Sequence, residues 1–325
     1  MLAKNIYFIV CFILFLAFNF GFLYIFKKKG IPFKGTFKFI LLYSVTYVLL
    51  FSIPSYFVYE FLILEDSKPS IPSILGNGIG DIVVIFIFAF VFFHKYSKIM
   101  FSLLLSLFVL GGYFHYDVAS SVFFNTKPLP KALYNELIQE TPSLNDVNIV
   151  MTQPKEDVGN MYKNAQSISL FNKKNILIGE HYLEKYTYNE MKFLILHEYG
   201  HIKSRHSEFS VIFGTLWFIG FFLIISQLKK RNQEAHPILL LPIMGNVLVV
   251  YCIVSIPLLL GIIRQSEYNA DTFAVKQMKT ATHAISTIEK FNISKKKGLI
   301  KLYTNTHPSN VDRMKNVNKL KFIND

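Results

Sequence analysis

The sequence has only two cysteines, Cys11 and Cys252, and both fall in long apolar stretches. That excludes a disulfide framework and a thiolate metal site. There is no internal repeat and no long low-complexity segment. No aromatic–basic interleaving accompanies the net charge of +13, so nucleic acid is not an expected partner. The glycine-rich run at 76–80 lacks the strand-before, helix-after frame of a dinucleotide loop. The first apolar stretch is not followed by a small-residue cleavage pattern, so it reads as an anchor.

Apolar residues dominate what is there. Hydrophobic residues make up 52% of the chain, 33 of them Phe, and the mean hydropathy is +0.37. A bilayer span needs about 17–25 mostly apolar residues. Stretches at 5–26, 37–64, 71–93, 100–116, 209–228 and 237–263 meet or approach that length. The expected class is a mainly α integral membrane protein with about six transmembrane helices and the lipid bilayer as a partner. Lys295, Lys296, Lys297, Lys301, Lys315, Lys319 and Lys321 make a basic region suited to an anionic lipid surface or a solvated helical face. Short-loop charges put the first, third and fifth loops in the cytoplasm and the polar domain outside.

His197-Glu-Tyr-Gly-His201 is the most specific motif. On a helix, residues four apart share a face, so both imidazoles can reach one zinc ion. Glu198 projects beside that ion, where it can take a proton from a water the ion activates. Thr187 and Glu190 have capping-box spacing, and an apolar run carries the helix into the motif and on to about His206. Catalytic zinc keeps three protein ligands and one open position. The best third candidate is Glu267, with Asp271 one turn later able to hold a ligand histidine through its outer N–H. His206 falls off the ligand face and reads as structural or solvent-facing.

Together, His197–His201, Glu267-Tyr-Asn-Ala-Asp271 and Thr306-His307-Pro308-Ser309 with Arg313 resemble the HtpX-like and CAAX-prenyl-protease group of zinc metallopeptidases. Two apolar spans between the histidines and the glutamate add to the likeness. The resemblance covers roughly residues 125–325. It implies one zinc per chain on His197, His201 and Glu267, with Glu198 as general base and Asp271 orienting a ligand. It also implies that His307 lies near the site to steady the oxyanion and that Arg313 holds the C-terminal segment. Asn164 and Ala165 resemble the edge strand that pairs with substrate backbone. The resemblance points to a cytoplasmic site, opposite to the loop charges.

The domain reading follows. Residues 1–118 form a four-span membrane region, and 119–207 the first part of a small α+β zincin-type domain. Residues 208–263 form a two-span hairpin, and 264–325 the second part of that domain. A helix is predicted over 130–141, with strands over 147–152, 164–170 and 175–179. The expected function is a membrane-bound zinc endopeptidase acting on peptide or membrane-protein substrates, in quality control or precursor processing. The alternative is an inactive scaffold or receptor that retains the domain. An intramembrane protease would bury the motif within a span, and Glu190, Lys192, Lys203 and Arg205 around it disfavour that. A transporter would need ionisable clusters within the spans, and none stands out.

Overall fold

The computed structural model describes residues 97–114, 117, 124–155, 165–231, 237–291 and 307–321. The first three predicted spans and Asn164 lie outside the described residues. The chain divides into two compact units. One comprises residues 1–105, 217–257 and 296–304; the other comprises 106–216, 258–295 and 305–325. The second unit contains the histidine motif.

Helix α1 is Ser97–Tyr113, the described part of the predicted fourth span. Strand β1, Phe124–Pro128, precedes helix α2, Lys131–Glu140. Strands β2 (Asn148–Pro154), β3 (Gln166–Leu170) and β4 (Lys173–Gly179) complete a sheet of order β1-β2-β4-β3. β1 and β2 are antiparallel, β2 and β4 parallel, and β3 and β4 antiparallel. The sequence reading placed no strand at β1, and its first element in this region is the helix predicted over 130–141. Proline fits there because β1 is an edge strand. β3 forms the other edge. It turns into β4 through Phe171 and Asn172, with Phe171 at φ 55°.

After the short helix α3, Tyr182–Lys185, comes α4, Tyr188–Lys203, which carries the motif. Thr187 Oγ1 accepts from the Glu190 N–H, and the Glu190 carboxylate accepts from the Thr187 N–H at 2.9 Å. This capping box fixes where the helix starts. Glu190 is also tied to Ser286 and to Lys290 Nζ (2.6 Å) on helix α7, Thr282–Lys290. Phe193, Ile195 and Leu196 are fully buried, and Leu194 nearly so, in one core with Ile176, Ile178, Ala284 and Ile288. The sheet, α4 and α7 therefore share a single apolar centre.

The predicted continuation of α4 to His206 does not occur. Arg205 adopts φ 54°, α4 stops at Lys203, and a new helix, α5, begins at His206 and runs to Arg231. Helix α6 is a single element, Pro237–Met278. It carries an apolar stretch and, without a break at Arg264, Glu267 and Asp271. Two described helices, α5 and the 246–278 part of α6, are long and apolar enough to cross a membrane. The last described helix, α8, is Asn310–Lys321. Its first turn is capped by Ser309, whose Oγ accepts from the Asp312 N–H at 3.1 Å.

Candidate active site

Gly200 sets the spacing between α4 and α6. A Cβ at this position would lie 3.1 Å from the Ala270 Cα and 3.3 Å from Phe273 Cδ1. A side chain here would force the two backbones apart by a few tenths of an ångström, and glycine lets them come this close. Ala270 is itself fully buried, and it stands between Glu267 and Asp271 on α6. The close approach carries both carboxylates to the histidine face of α4.

There, one atom each from His197, His201 and Glu267 falls within a cluster no wider than 4.8 Å. The two Nε2 atoms are 3.2 Å apart. His197 Nε2 is 3.6 Å from Glu267 Oε2, and His201 Nε2 is 3.4 Å from Glu267 Oε1. Two imidazole nitrogens and a carboxylate oxygen are the donor set that zinc prefers, with room for one more ligand. His197 shows the same demand for positive charge. Burial by itself lowers its pKa, but hydrogen bonds with Asp271 and Glu267 outweigh burial and push it up to about 10. A metal ion bound at the ring nitrogen would displace that proton. The residues fit a divalent cation.

The outward ring nitrogens have different partners. His197 Nδ1 lies 2.9 Å from Asp271 Oδ1. Asp271, fully buried, accepts two hydrogen bonds from Arg313: Nε to Oδ2 at 2.8 Å and Nη2 to Oδ1 at 2.6 Å. Arg313 comes from α8, so this fork ties α8 to α6 and orients Asp271 at once. His201 Nδ1 lies 2.6 Å from His206 Nδ1, and the ring centroids are 4.8 Å apart. If Nε2 is the donor to metal, Nδ1–H of each ring points outward, to Asp271 and to His206 respectively.

His206 is the contact that the sequence reading missed. A straight helix would have carried it away from His201. The left-handed turn at Arg205 brings it back, and no glycine or asparagine marks that turn in the sequence.

Glu198 is 8% exposed and makes no hydrogen bond to another described residue, which leaves its carboxylate open for a proton. His307 Nδ1 stands 2.9 Å from Glu267 Oε2, and its side chain is 55% exposed. Despite that short distance, Glu267 Oε2 lacks a hydrogen bond of good geometry within the described chain. It keeps a lone pair for another cation. Ala165 directly precedes β3 and is partly buried, with its backbone against the Tyr182 hydroxyl. β3 packs against α4 and, among the described residues, is an edge strand of the sheet.

No curated protein matches the chain. Among solved structures, Ste24p from S. mikatae superposes with a TM-score of 0.56 at 17% identity. The match covers 86% of this chain and 74% of that one, and it concerns the fold. The model of peptidase family M48 matches residues 134–321, a stretch that holds the histidine motif, Glu267, Asp271, His307 and Arg313. That is more than half of the sequence, and the chain therefore belongs to peptidase family M48.

Proposed function

We propose that this membrane metallopeptidase is an active zinc endopeptidase, with one zinc on His197, His201 and Glu267. The convergence of those three donors beside the open Glu198 carboxylate carries the reading. Zinc, when bound, lowers the pKa of a coordinated water and polarises a carbonyl oxygen. Glu198 takes a proton from the attacking water and later delivers it to the leaving amine. His307, beside Glu267, donates an N–H to the oxyanion that develops on the scissile carbonyl. Asp271 and His206 keep the two ligand rings in the required tautomer. Arg313 holds Asp271 and fastens α8 to the site. An extended peptide adds to the β3 edge by backbone pairing, the role that the resemblance of Asn164 and Ala165 to a substrate-pairing strand implies. Backbone pairing selects an extended segment more than a particular sequence. That suits membrane-protein quality control or precursor processing.

The test is Glu198→Gln in full-length protein reconstituted in lipid. Zinc content should stay at one per chain while peptide hydrolysis falls by about a thousandfold or more. If wild type has no more hydrolytic activity than Glu198→Gln, and both complement a deletion equally, the chain is a scaffold that retains the domain.

A further inference from the structure

The turn between β3 and β4 touches the ends of two apolar helices. Helix α1 ends beside it. The Tyr113 ring lies 6.3 Å from the Phe171 ring, and Lys173 Nζ is 4.4 Å from the Tyr113 ring centre and 5.0 Å from that of Phe114. Helix α5, one of the two described helices able to cross a membrane, starts beside it. The Ser169 and Ser207 hydroxyls are 3.3 Å apart, and Glu208 Oε1 accepts from the Phe171 N–H at 3.1 Å. From Phe209 to Leu228, α5 holds no charged residue. Where α5 crosses the bilayer, its first turn therefore marks the water–lipid boundary, and the β3–β4 turn stands at that level.

The residues of the turn suit that level. Phe171 is the first of two turn residues, at φ 55°, and its side chain is 65% exposed. Glycine, asparagine or aspartate is the usual choice at such a position, and a bulky ring there is strained. Neither core packing nor backbone geometry accounts for a phenylalanine. Strain of that kind collects at functional sites. Phe114, also exposed, stands edge-on to Tyr113 at 5.0 Å. Lys173, paired with Asp117, lies among these rings. Aromatic rings beside lysine at the ends of apolar helices mark the headgroup level of a bilayer.

The same boundary passes close to the metal site. His206, the first residue of α5, has its Nδ1 2.6 Å from that of His201. β3 has five residues, and at about 3.3 Å each it runs roughly 16 Å from Leu170 at the turn to Gln166. Ala165 comes next. The Tyr182 pKa is raised, first by burial and in part by the Glu198 charge, while a hydrogen bond with the Ala165 backbone opposes this. Tyr182 thus joins the far end of β3 to the neighbourhood of Glu198. The strand leads from the lipid boundary to the level of the proposed base.

We propose that Phe171, with Tyr113 and Phe114, seats the β3–β4 turn in the headgroup layer of the bilayer, and that β3 there receives the extended segment of a polypeptide just outside that polypeptide's own membrane anchor. The substrate class is a membrane-anchored chain, cut roughly five extended residues from the lipid. The choice of substrate rests on the zinc endopeptidase reading above; the seating of the turn does not. A peptide free in water gains nothing from a strand edge held at the surface, whereas a peptide tethered there is delivered to it.

The test uses the full chain in vesicles of phosphatidylcholine and phosphatidylglycerol. Trp217 is the only tryptophan, so Phe171→Trp in a Trp217→Phe background carries a single indole. Its emission should be blue-shifted, and lipids brominated near the top of the acyl chain should quench it. A fluorogenic peptide is then supplied in two forms, free and linked to a phospholipid headgroup. Phe171→Asn suits the left-handed turn better than phenylalanine does, so the hairpin survives. It should lower kcat/KM for the linked peptide about tenfold, the low end of what burying one Phe side chain is worth, and leave the free peptide within about twofold. Phe171→Leu keeps an apolar side chain and should stay near wild type on both. Unchanged circular dichroism checks folding in each variant. A water-exposed, unquenched indole overturns the proposal. So does an indole shielded from water that brominated lipid does not quench, which puts a protein surface over the turn. Equal loss on both peptides, or none on either, overturns the delivery of substrate by the turn. A quenched indole in a protein that cuts neither peptide upholds the seating and sinks the endopeptidase reading instead.

Discussion

The two histidines of the motif sit one turn apart on the same helix, yet they are held in opposite ways. The His197 side is buried and charged: Asp271 accepts its outer N–H, and Arg313 grips Asp271 with two hydrogen bonds. Three helices, α4, α6 and α8, meet there. The His201 side rests on one partly buried neutral ring, His206, delivered by a strained turn. A carboxylate clamped by a guanidinium keeps its charge and position. A second imidazole holds by a single hydrogen bond and can change tautomer. The first side should fix the metal, and the second should tune it.

Removing a donor outright is the most severe way to break this contrast. His197→Ala and His201→Ala should both lose zinc, measured by metal analysis of the purified protein. His197→Ala should also lower thermal stability more, because it leaves the Asp271–Arg313 pair buried with less compensation. Full zinc retention in either variant would remove that residue from the ligand set.

Next come the two supports themselves. Asp271→Asn should cost about 10–100-fold in zinc affinity or turnover, the usual range for such partners. His206→Phe should cost less, about tenfold or below. Competition with a chelator measures both, and a larger loss at His206 would reverse the comparison.

A smaller effect should come from Gly200→Ala. The new methyl would press on the Ala270 backbone at 3.1 Å, so α6 must shift by a few tenths of an ångström. Glu267 moves with it, and zinc affinity should fall by several-fold with the fold retained. Unchanged affinity would mean that the α4–α6 approach does not set the ligand geometry.

The mildest test leaves both sides intact and loosens the start of α4. Burial raises the pKa of Glu190, but its hydrogen bonds to Lys290, Ser286 and Thr187 outweigh this and bring it down to about 2. The ordinary value is 4.5, so the stabilisation is present above pH 4.5 and is lost as pH falls towards 2. Glu190→Gln should cost on the order of 2 kcal/mol at neutral pH, since Lys290 is partly exposed. The difference in thermal midpoint from wild type should close between those pH values. A difference that does not change with pH would show that the carboxylate charge is not what stabilises the helix start.

Local signals carried far in this sequence. The capping box at Thr187 and Glu190 acts within one turn, and it can be read from spacing alone. The same holds for His197–His201 and for Glu267 with Asp271. Strand β4 was legible as a short apolar run, Ile176 to Ile178, set between the turn residues around Asn172 and Gly179; that its two faces enter separate clusters was not. What failed depends on partners distant in sequence. β1 is a strand because Phe124–Pro128 pairs with Val150–Pro154, and nothing in its own five residues says so. The tie from Glu190 to Ser286 and Lys290 joins residues about a hundred apart. Arg205 is an unusual residue for a left-handed turn, so the break after α4 and the return of His206 had no local marker.

The order of these residues along the chain also sets a timetable. The first two proposed zinc donors and the proposed base leave the ribosome in one helix, at 197–201. Glu267 follows only after α5 and most of α6 have been made, and Arg313 later still. Chains are built from the N-terminus, and their parts fold as they emerge. On the proposed ligand set, the metal centre cannot be completed until both apolar helices exist, and the chain stays inert until then.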